Sequence, residues 1–326
     1  MATARIKNCG ESWYHIVSRT AFQEFKFGEE AKSMFVDMLR RVAYFSGIDV
    51  LNYCVMTNHF HILIHVPEKR EVPEDELLKR ISALYGHDNA EELRRRWLEL
   101  RKHRMSGKMA EEQASFTRRM GDISPFMKCL KQRYSIWFRH HSQGFAGTLW
   151  EGRFKSVIVQ GEAGALSAVS AYIDLNPVRA KIVDDPKDYK WSGYGAALAG
   201  DGAAMRGIAR VFNPDATAKD FTESALGLYR EILYVKGGDA IDGEKVKQVA
   251  KEKGKVPLPL LLRCKMRHFL RGTFVGSAEF VEDEFQKHRE HFSVGRKKGA
   301  RPIGRCEEWC GIRLCTARKL RTGETA

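Results

Sequence analysis

The sequence has no long apolar run. Neither its first 20 residues nor any later stretch of the 326-residue chain resembles a signal-peptide core or a membrane span. A disulfide framework is also missing, because the seven cysteines are odd in number and mostly far apart. Internal repeats and long low-complexity tracts are absent too. We therefore expect a globular protein of a reducing cytoplasm and exclude the secreted, membrane-spanning and repeat classes.

Positive charge is what the sequence has in excess. It contains 55 Lys and Arg against 41 Asp and Glu, a formal net charge of +14. This balance suits a polyanionic partner, of which nucleic acid is the commonest. A soluble basic protein without such a partner would have the same composition. Hydrophobic residues make up 43% of the chain, which is enough for a sizeable core.

The first 66 residues have the pattern of a β-α-β-β unit. Alternation predicts strands at 12–20 and 48–56, and helical periodicity predicts a helix at 29–47 that ends at Gly47. A short turn at 57–58 then leads into a third strand. The stretch 68–122 is highly charged and helix-prone, so we expect an exposed helical insertion there.

Further helices and one strand are predicted up to residue 180. A helix at 124–141 is expected to begin with Ser124 as its cap and Pro125 at its first position. A strand follows at 147–159. The next helix, at 164–180, should be broken near Pro177, since proline lacks the amide hydrogen and clashes with the preceding turn.

The rest of the chain divides into a weakly patterned stretch and a basic end. Residues 196–222 are rich in Ala, Gly and Asp and predict a linker, whereas 257–272 and 277–292 predict helices. The last 86 residues carry 20 basic and 11 acidic side chains. They suit either an accessory DNA-binding module or a helical dimerisation domain. The segment "CEEWCGIRLC" lacks the usual zinc spacing, and we expect it to be structural.

The third strand, "VMTNHFHILIHV" (55–66), has an unusual pair of histidines. Side chains two apart on a strand face the same way, so His59 and His61 converge while Phe60 and Ile62 face the apolar side. A His-x-His pair on a strand is a two-ligand site for a divalent metal. The alternative is an ordinary polar sheet surface, which His65 would extend.

The helix at 164–180 has a stripe with space beside a tyrosine. Ala165, Ala168, Tyr172 and Asn176 are spaced three or four apart, so they share one face, and the two alanines leave room next to Tyr172. Without the histidines, a core tyrosine of an amphipathic helix would be the favoured interpretation.

Three segments together resemble a known family. "MTNHFHILIHV", "GTLWEGRFKS" and "AYIDLNPVRA", in this order, resemble the REP-associated tyrosine transposases, single-tyrosine members of the HUH nuclease superfamily. The resemblance covers roughly residues 10 to 195 apart from the charged insertion. It implies an α+β fold, with a ferredoxin-like antiparallel sheet, flanking helices and a small helical carboxy-terminal domain. The domains expected are 1–195 with its insertion at 68–122, a linker at 196–222, and a basic helical accessory domain at 223–326.

The resemblance also implies an active site. His59 and His61 match the histidines that hold a divalent ion, Mg or Mn. Tyr172 matches the nucleophile that attacks a single-stranded DNA phosphodiester and forms a covalent 5′-phosphotyrosine. Asn176 matches the residue that completes the metal shell, although Pro177 disfavours helical geometry there.

Two residues are alternative candidates for roles within the predicted site. Gln160 is the next polar candidate for the third metal ligand. Tyr134 lies among basic residues in "LKQRYSIWFRHH" and could be the nucleophile, but packing with Ile136 and Phe138 is the more ordinary role.

The partner implied is single-stranded DNA, in hairpins from repetitive palindromic sequences. Lys131, Arg133, Arg153 and Lys155, interleaved with aromatic residues, suit a strand whose phosphates need cations and whose bases need stacking surfaces. The resemblance implies a bacterial, cytoplasmic, nucleoid-associated protein, monomeric or dimeric, that does not bind membranes. The alternatives are a non-catalytic nucleic-acid-binding regulator derived from such an enzyme, and a metal-dependent nuclease that uses water.

Overall fold

The computed structural model of the chain describes residues 5–21, 27–142, 145, 147–234, 272–303 and 313–318. The chain forms two compact units. The first comprises residues 1–26, 50–64 and 150–326, and the second comprises residues 27–49 and 65–149. In the described ranges, every helix is too short or too polar to cross a membrane.

The first unit is built on a seven-stranded sheet. Its strands are β1 (Ser12–Arg19), β2 (Asp49–Val55), β3 (His59–Val66), β4 (Lys155–Val159), β5 (Phe274–Gly276), β6 (Arg301–Pro302) and β7 (Cys315–Ala317). Their order across the sheet is β2-β3-β1-β4-β5-β7-β6. β1 runs antiparallel to β4, and β7 runs antiparallel to both β5 and β6, whereas β5 is parallel to β4. The predicted α+β class and the β-α-β-β opening are confirmed.

The second unit consists of helices. They are α1 (Glu29–Ser46), α2 (Glu74–Tyr85), α3 (His87–Lys102), α4 (Ser106–Thr117) and α5 (Ile123–His141). α1 ends as predicted at Gly47, whose φ of 63° is in the left-handed region that glycine tolerates best. The predicted cap of α5 is wrong by two residues, because the Asp122 carboxylate accepts the amide hydrogen of Ser124 at 2.7 Å.

The charged insertion at 68–122 is helical but is not uniformly exposed. Leu77, Ile81 and Leu84 lie at helical spacing on one face of α2 and are buried, and Trp97 of α3 is also buried. The Trp97 indole donates to Glu112 Oε2 at 3.1 Å. The high charge belongs to the outer faces of these helices, so composition concealed an amphipathic pattern.

The helices of the first unit follow β4 and continue into the basic end of the chain. They are α6 (Ala163–Asp174), α7 (Asn176–Arg179), α8 (Gly193–Leu198), α9 (Gly202–Ala209), α10 (Ala218–Asp220), α11 (Leu226–Tyr234) and α12 (Ala278–Lys287). Every residue of α6 from Gly164 to Asp174 is buried. The predicted break near Pro177 is confirmed, since α6 ends before Leu175 and α7 begins at Asn176.

The linker prediction for residues 196–222 is wrong. This stretch contains α9 and α10, and its side chains Ala204, Ile208 and Phe221 belong to the core that surrounds α6. Its small residues allow close packing rather than a loose loop. A Cβ atom at Gly207 would lie 2.6 Å from the carbonyl oxygens of Val50 and Leu51.

The described residues of the basic region 223–326 form strands as well as helices, so the prediction of a purely helical domain is wrong there. They supply β5, β6 and β7 to the sheet as well as α11 and α12. α12 begins as predicted from Ser277, whose hydroxyl accepts from the Phe280 amide at 3.2 Å, and a 3-10 turn at Arg289–His291 follows it. The predicted helix at 257–272, apart from its last residue, and most of "CEEWCGIRLC" lie outside the described residues.

A buried carboxylate joins α6 to three other elements of the first unit. Asp174 accepts hydrogen bonds from Asn52 Nδ2 of β2 (2.6 Å), from the Tyr194 amide of α8 (3.2 Å) and from the Tyr229 hydroxyl of α11. Asp174 is fully buried, and this burial raises the pKa of its carboxyl to about 6, although the hydrogen bonds act in the opposite direction. α6 is thereby held at a fixed position over β2.

The raised pKa of Asp174 predicts a pH-dependent stability. Between about pH 4 and pH 6 the folded chain keeps this proton while the unfolded chain releases it. The free energy of unfolding should therefore fall as pH rises through this interval, by up to roughly 3 kcal/mol. Urea unfolding at several pH values measures the slope. Asp174→Asn should flatten it, and an unchanged slope in that variant would contradict the assignment.

Candidate active site

His59 and His61 of β3 converge, and His61 is buried. The rings of His59 and His61 lie 5.1 Å apart at an interplanar angle of 76°. His61 is only 1% exposed, and Leu63 on the same face belongs to the core around α6. At His61, this face of β3 is therefore not an ordinary solvent-exposed sheet surface. His65, further along β3, lies with its Nδ1 3.4 Å from Oδ2 of Asp49.

A third histidine, which the sequence analysis missed, completes the group. His15 of β1 is 1% exposed, and its Nε2 lies 3.0 Å from Nδ1 of His61. The two rings stack with centroids 5.2 Å apart. Its signal in the sequence is a histidine within the apolar alternation "WYHIV". This histidine indicates a site residue only once β1 is known to lie beside β3 in the sheet.

Tyr172 of α6 faces this group of histidines. Its ring centroid lies 5.6 Å from that of His61 and 5.8 Å from that of His15, both in edge-on geometry. The Arg179 guanidinium lies 5.5 Å from the same ring. Burial raises the pKa of Tyr172, whereas the charge of Arg179 and hydrogen bonds from Arg179 and Asn176 act to lower it. Ala165 and Ala168, on the same stripe of α6 as Tyr172, are fully buried.

Two histidines of β3, His59 and His61, are held in the neutral form at pH 7 by their surroundings. Burial, followed by the charge of Arg19, lowers the pKa of His59 to about 4. Burial and the charges of neighbouring groups, His59 first, lower the pKa of His61 well below its usual value. The Asn58 side-chain oxygen lies 2.7 Å from Nδ1 of His59, so that nitrogen carries the proton and Nε2 presents a lone pair. Neutral imidazoles are the form that binds metal ions.

The two candidates for a third ligand differ in what their side chains already bind. Asn176 donates from Nδ2 to the carbonyl oxygens of Tyr172 (2.8 Å) and Ile173 (3.3 Å), so its Oδ1 is the atom an ion would bind. Gln160 uses its oxygen to accept from the Ser277 amide at 2.6 Å. The geometry favours Asn176. Two imidazole nitrogens and one amide oxygen form a mixed donor set that fits Mn at least as well as Mg.

Tyr134 is a packing residue of the second unit. It is fully buried against Phe27 (5.5 Å) and Phe35 (5.1 Å), and its hydroxyl donates to the Ala31 carbonyl at 2.9 Å. Burial raises its pKa far above the usual value. The packing interpretation is confirmed, although Ile136 is 51% exposed and so differs from the partner expected.

The basic residues proposed to bind DNA belong to both units. In the first unit, Arg153 and Lys155 are exposed on either side of the buried Phe154. The guanidinium of Arg5 lies 3.4 Å from the Phe154 ring. In the second unit, Lys131 and Arg133 of α5 are half-buried, and the Arg133 guanidinium lies 4.6 Å from the Tyr85 ring.

Two exposed arginines near the histidines were missed by the sequence analysis. Arg19, at the end of β1, and Arg179, in α7, both act electrostatically on His61 and Tyr172. Neither belongs to a run of basic residues, which is why charge density along the sequence did not identify them. Together they make the surroundings of Tyr172 electropositive.

The amino-terminal part of the chain matches a transposase family. Residues 9–108 match the family model described as "Transposase IS200 like". The matched stretch contains His15, His59 and His61 and ends before Tyr172. The resemblance of this chain to the single-tyrosine transposases is confirmed by the match.

Two solved structures are also similar to the chain. One is described as a REP-associated tyrosine transposase bound to a REP hairpin, with 12% identity, a TM-score of 0.40, and coverage of 61% of this chain and 86% of that one. The other is a putative transposase from Deinococcus radiodurans R1, with 16% identity, a TM-score of 0.26, and coverage of 56% and 92%. Among curated proteins, none matches the chain significantly.

Proposed function

We propose that this protein is a metal-dependent single-stranded DNA endonuclease and strand transferase that acts on hairpin-forming repeats. The observation that supports the proposal is the group formed by His15, His61 and Tyr172, in which the buried tyrosine lies edge-on to two buried histidines. A tyrosine used only for packing does not require three histidines (His15, His59 and His61) on the neighbouring strands β1 and β3. The place of action would be the bacterial cytoplasm, with DNA of the nucleoid as substrate.

The proposed reaction conserves the energy of the phosphodiester bond. The Tyr172 oxygen attacks phosphorus, a bond forms between tyrosine and the 5′-phosphate, and the bond to the 3′-oxygen breaks. The tyrosine proton is lost and the leaving 3′-oxygen gains one. A free 3′-hydroxyl can later attack the phosphotyrosine, which rejoins the strand and restores Tyr172.

The roles of the other residues follow from their chemistry. A divalent ion held by His59, His61 and Asn176 would withdraw charge from the phosphate oxygens and orient the scissile bond. Arg179, which lies over the Tyr172 ring, would stabilise the phenolate as its proton leaves. Arg19 would attract the phosphate. Arg153 and Lys155 of the first unit would bind phosphates of the strand, and Lys131 and Arg133 of the second unit are separately proposed to contact DNA phosphates.

The experiment that tests this function uses labelled single-stranded hairpins. The full chain is incubated with them in Mn or Mg and separated under denaturing conditions. A covalent protein–DNA complex should form, its DNA should carry the label downstream of the cut, and addition of a strand with a free 3′-hydroxyl should yield a rejoined product. Cleavage without any covalent complex would replace the proposal with a water-using nuclease. Tight binding without cleavage in either metal would replace it with a non-catalytic regulator.

His15 should act as a positioning residue for His61. Its Nε2 fixes the orientation and the tautomer of the His61 ring, as outer-shell partners of metal-bound histidines do. His15→Phe keeps the ring but removes this hydrogen bond. We expect the affinity for Mn to fall about 10- to 100-fold while hairpin affinity in chelator stays the same.

The matched control is His65→Phe on β3, the strand of His61, because the His65 ring faces Asp49. Titration with Mn, followed by the paramagnetic resonance of the free ion, gives both affinities. Equal Mn affinity in wild type and His15→Phe would contradict the positioning role of His15.

A further inference from the structure

A second group of possible metal ligands lies at the end of α12, outside the proposed active site. His288, Glu290 and His291 each offer one ligand atom, and these three atoms all lie within 4.8 Å of one another. The 3-10 turn Arg289–His291 brings them together directly after the helix. The two histidine side chains are largely covered, at 17% and 23% exposure, whereas that of Glu290 is 65% exposed.

A buried carboxylate next to this group has an unsatisfied oxygen. Glu284, one turn earlier in α12, is 2% exposed, and its Oε1 accepts from Lys287 Nζ at 2.8 Å. Its Oε2 accepts no hydrogen bond from the described residues and lies 3.7 Å from Nε2 of His288. An unpartnered buried carboxylate oxygen is costly. The burial of Glu284 Oε2 costs less free energy when the facing His288 ring is polarised by a metal ion bound to its other nitrogen.

The surroundings of His288 fix which of its nitrogens has a lone pair. Nε2 faces two acceptors, Asn8 Oδ1 at 3.1 Å and Glu284 Oε2 at 3.7 Å, so it carries the proton. The lone pair is then on Nδ1. The His288 ring is also stacked on Phe274, with centroids 5.9 Å apart. A carboxylate that faces the outer nitrogen of an oriented histidine is the arrangement found around protein-bound metal ions.

We propose that His288, Glu290 and His291 bind a zinc-type divalent ion, with Glu284 as the outer partner of His288. Two imidazoles and one carboxylate are a donor set that zinc accepts, with the fourth position left to water. Zinc ligand atoms in a tetrahedral site are about 3.3 Å apart, given zinc–nitrogen distances of about 2.0–2.1 Å. The Oε1 atom of the exposed Glu290 already lies 3.2 Å from Nε2 of His291, close to this spacing. The ion would tie the turn after α12 into one rigid unit with the helix.

The test measures metal binding rather than catalysis. The full-length chain carrying His59→Ala and His61→Ala, which removes the other histidine pair, is titrated with zinc by calorimetry in excess Mg, and with cobalt by visible absorption. We expect one equivalent of zinc and a tetrahedral cobalt spectrum. Adding His288→Ala and His291→Ala should abolish both. Glu284→Gln should weaken zinc binding about 10- to 100-fold.

A matched control removes two exposed histidines from the second unit. His103 lies 4.0 Å from Glu99 and is an ordinary surface histidine–carboxylate pair, and His87 is also exposed. The variant with both changed to alanine should bind zinc as the parent does. Zinc should also raise the unfolding temperature of the parent and leave that of the His288/His291 variant unchanged.

Three results would overturn the proposal: an equivalent of zinc retained without His288 and His291, equal affinity in Glu284→Gln, or no zinc binding by the folded parent. If the double variant does not fold, Glu290→Gln keeps the test, because it changes only the exposed ligand and should still weaken zinc binding at least tenfold. Formation of the covalent DNA complex by wild-type protein is independent of all these outcomes.

Discussion

Tyr172→Phe is expected to abolish the covalent DNA complex. The substitution removes only the hydroxyl, so the ring keeps its edge-on contacts with His15 and His61 and hairpin affinity should be nearly unchanged. Loss of a nucleophile typically lowers the rate by several orders of magnitude, and we expect at least about a thousandfold less complex per unit time. Denaturing electrophoresis of labelled hairpins measures the complex directly.

The control is Tyr134→Phe in the second unit. It loses the hydrogen bond to the Ala31 carbonyl, which should cost about 1 kcal/mol of stability without affecting the yield of complex. A full yield of complex in Tyr172→Phe would transfer the nucleophilic role to another residue. A loss in both variants would indicate damage to the fold and not to the chemistry.

His59→Ala and His61→Ala are each expected to remove cleavage, and excess chelator should do the same to the wild-type protein. Each variant loses one of the two neutral nitrogens proposed to hold the ion, so the rate should fall more than about a hundredfold. Hairpin binding should persist because it depends mainly on contacts between basic side chains and phosphates. Gel shifts and cleavage assays on the same samples separate the two effects.

His65→Ala is the matched control, because this histidine of β3 pairs with Asp49. It should leave both cleavage and metal dependence unchanged. Full cleavage by the wild-type protein in excess chelator would contradict the metal site. Rescue of His59→Ala by raised Mn concentration would support it, since a weakened ligand set is compensated by mass action.

The local elements were predictable because their signals are local. Strand alternation located β1, β2 and β3, and helical periodicity with Gly47 located α1. The facing of His59 and His61 follows from alternation, and that of Tyr172 follows from the helical stripe. Each of these inferences needs only residues within one element.

The features that could not be predicted from the sequence depend on contacts between elements. His15 joins the site because β1 lies between β3 and β4, and Asp174 is buried because α8 and α11 close over α6. The linker prediction failed for a related reason. The small residues of α9 suggested a loop, but their packing against β2 is what makes the segment helical.

Peptide mapping of the covalent complex tests the central claim most directly. After incubation of the wild-type protein with a hairpin and Mn, nuclease trimming and proteolysis, mass spectrometry locates the residue that carries the nucleotide. A 5′-phosphonucleotide on the peptide that contains Tyr172, absent when chelator is added, is the predicted result. A nucleotide on any other residue, or cleaved DNA with no modified peptide, would contradict the account.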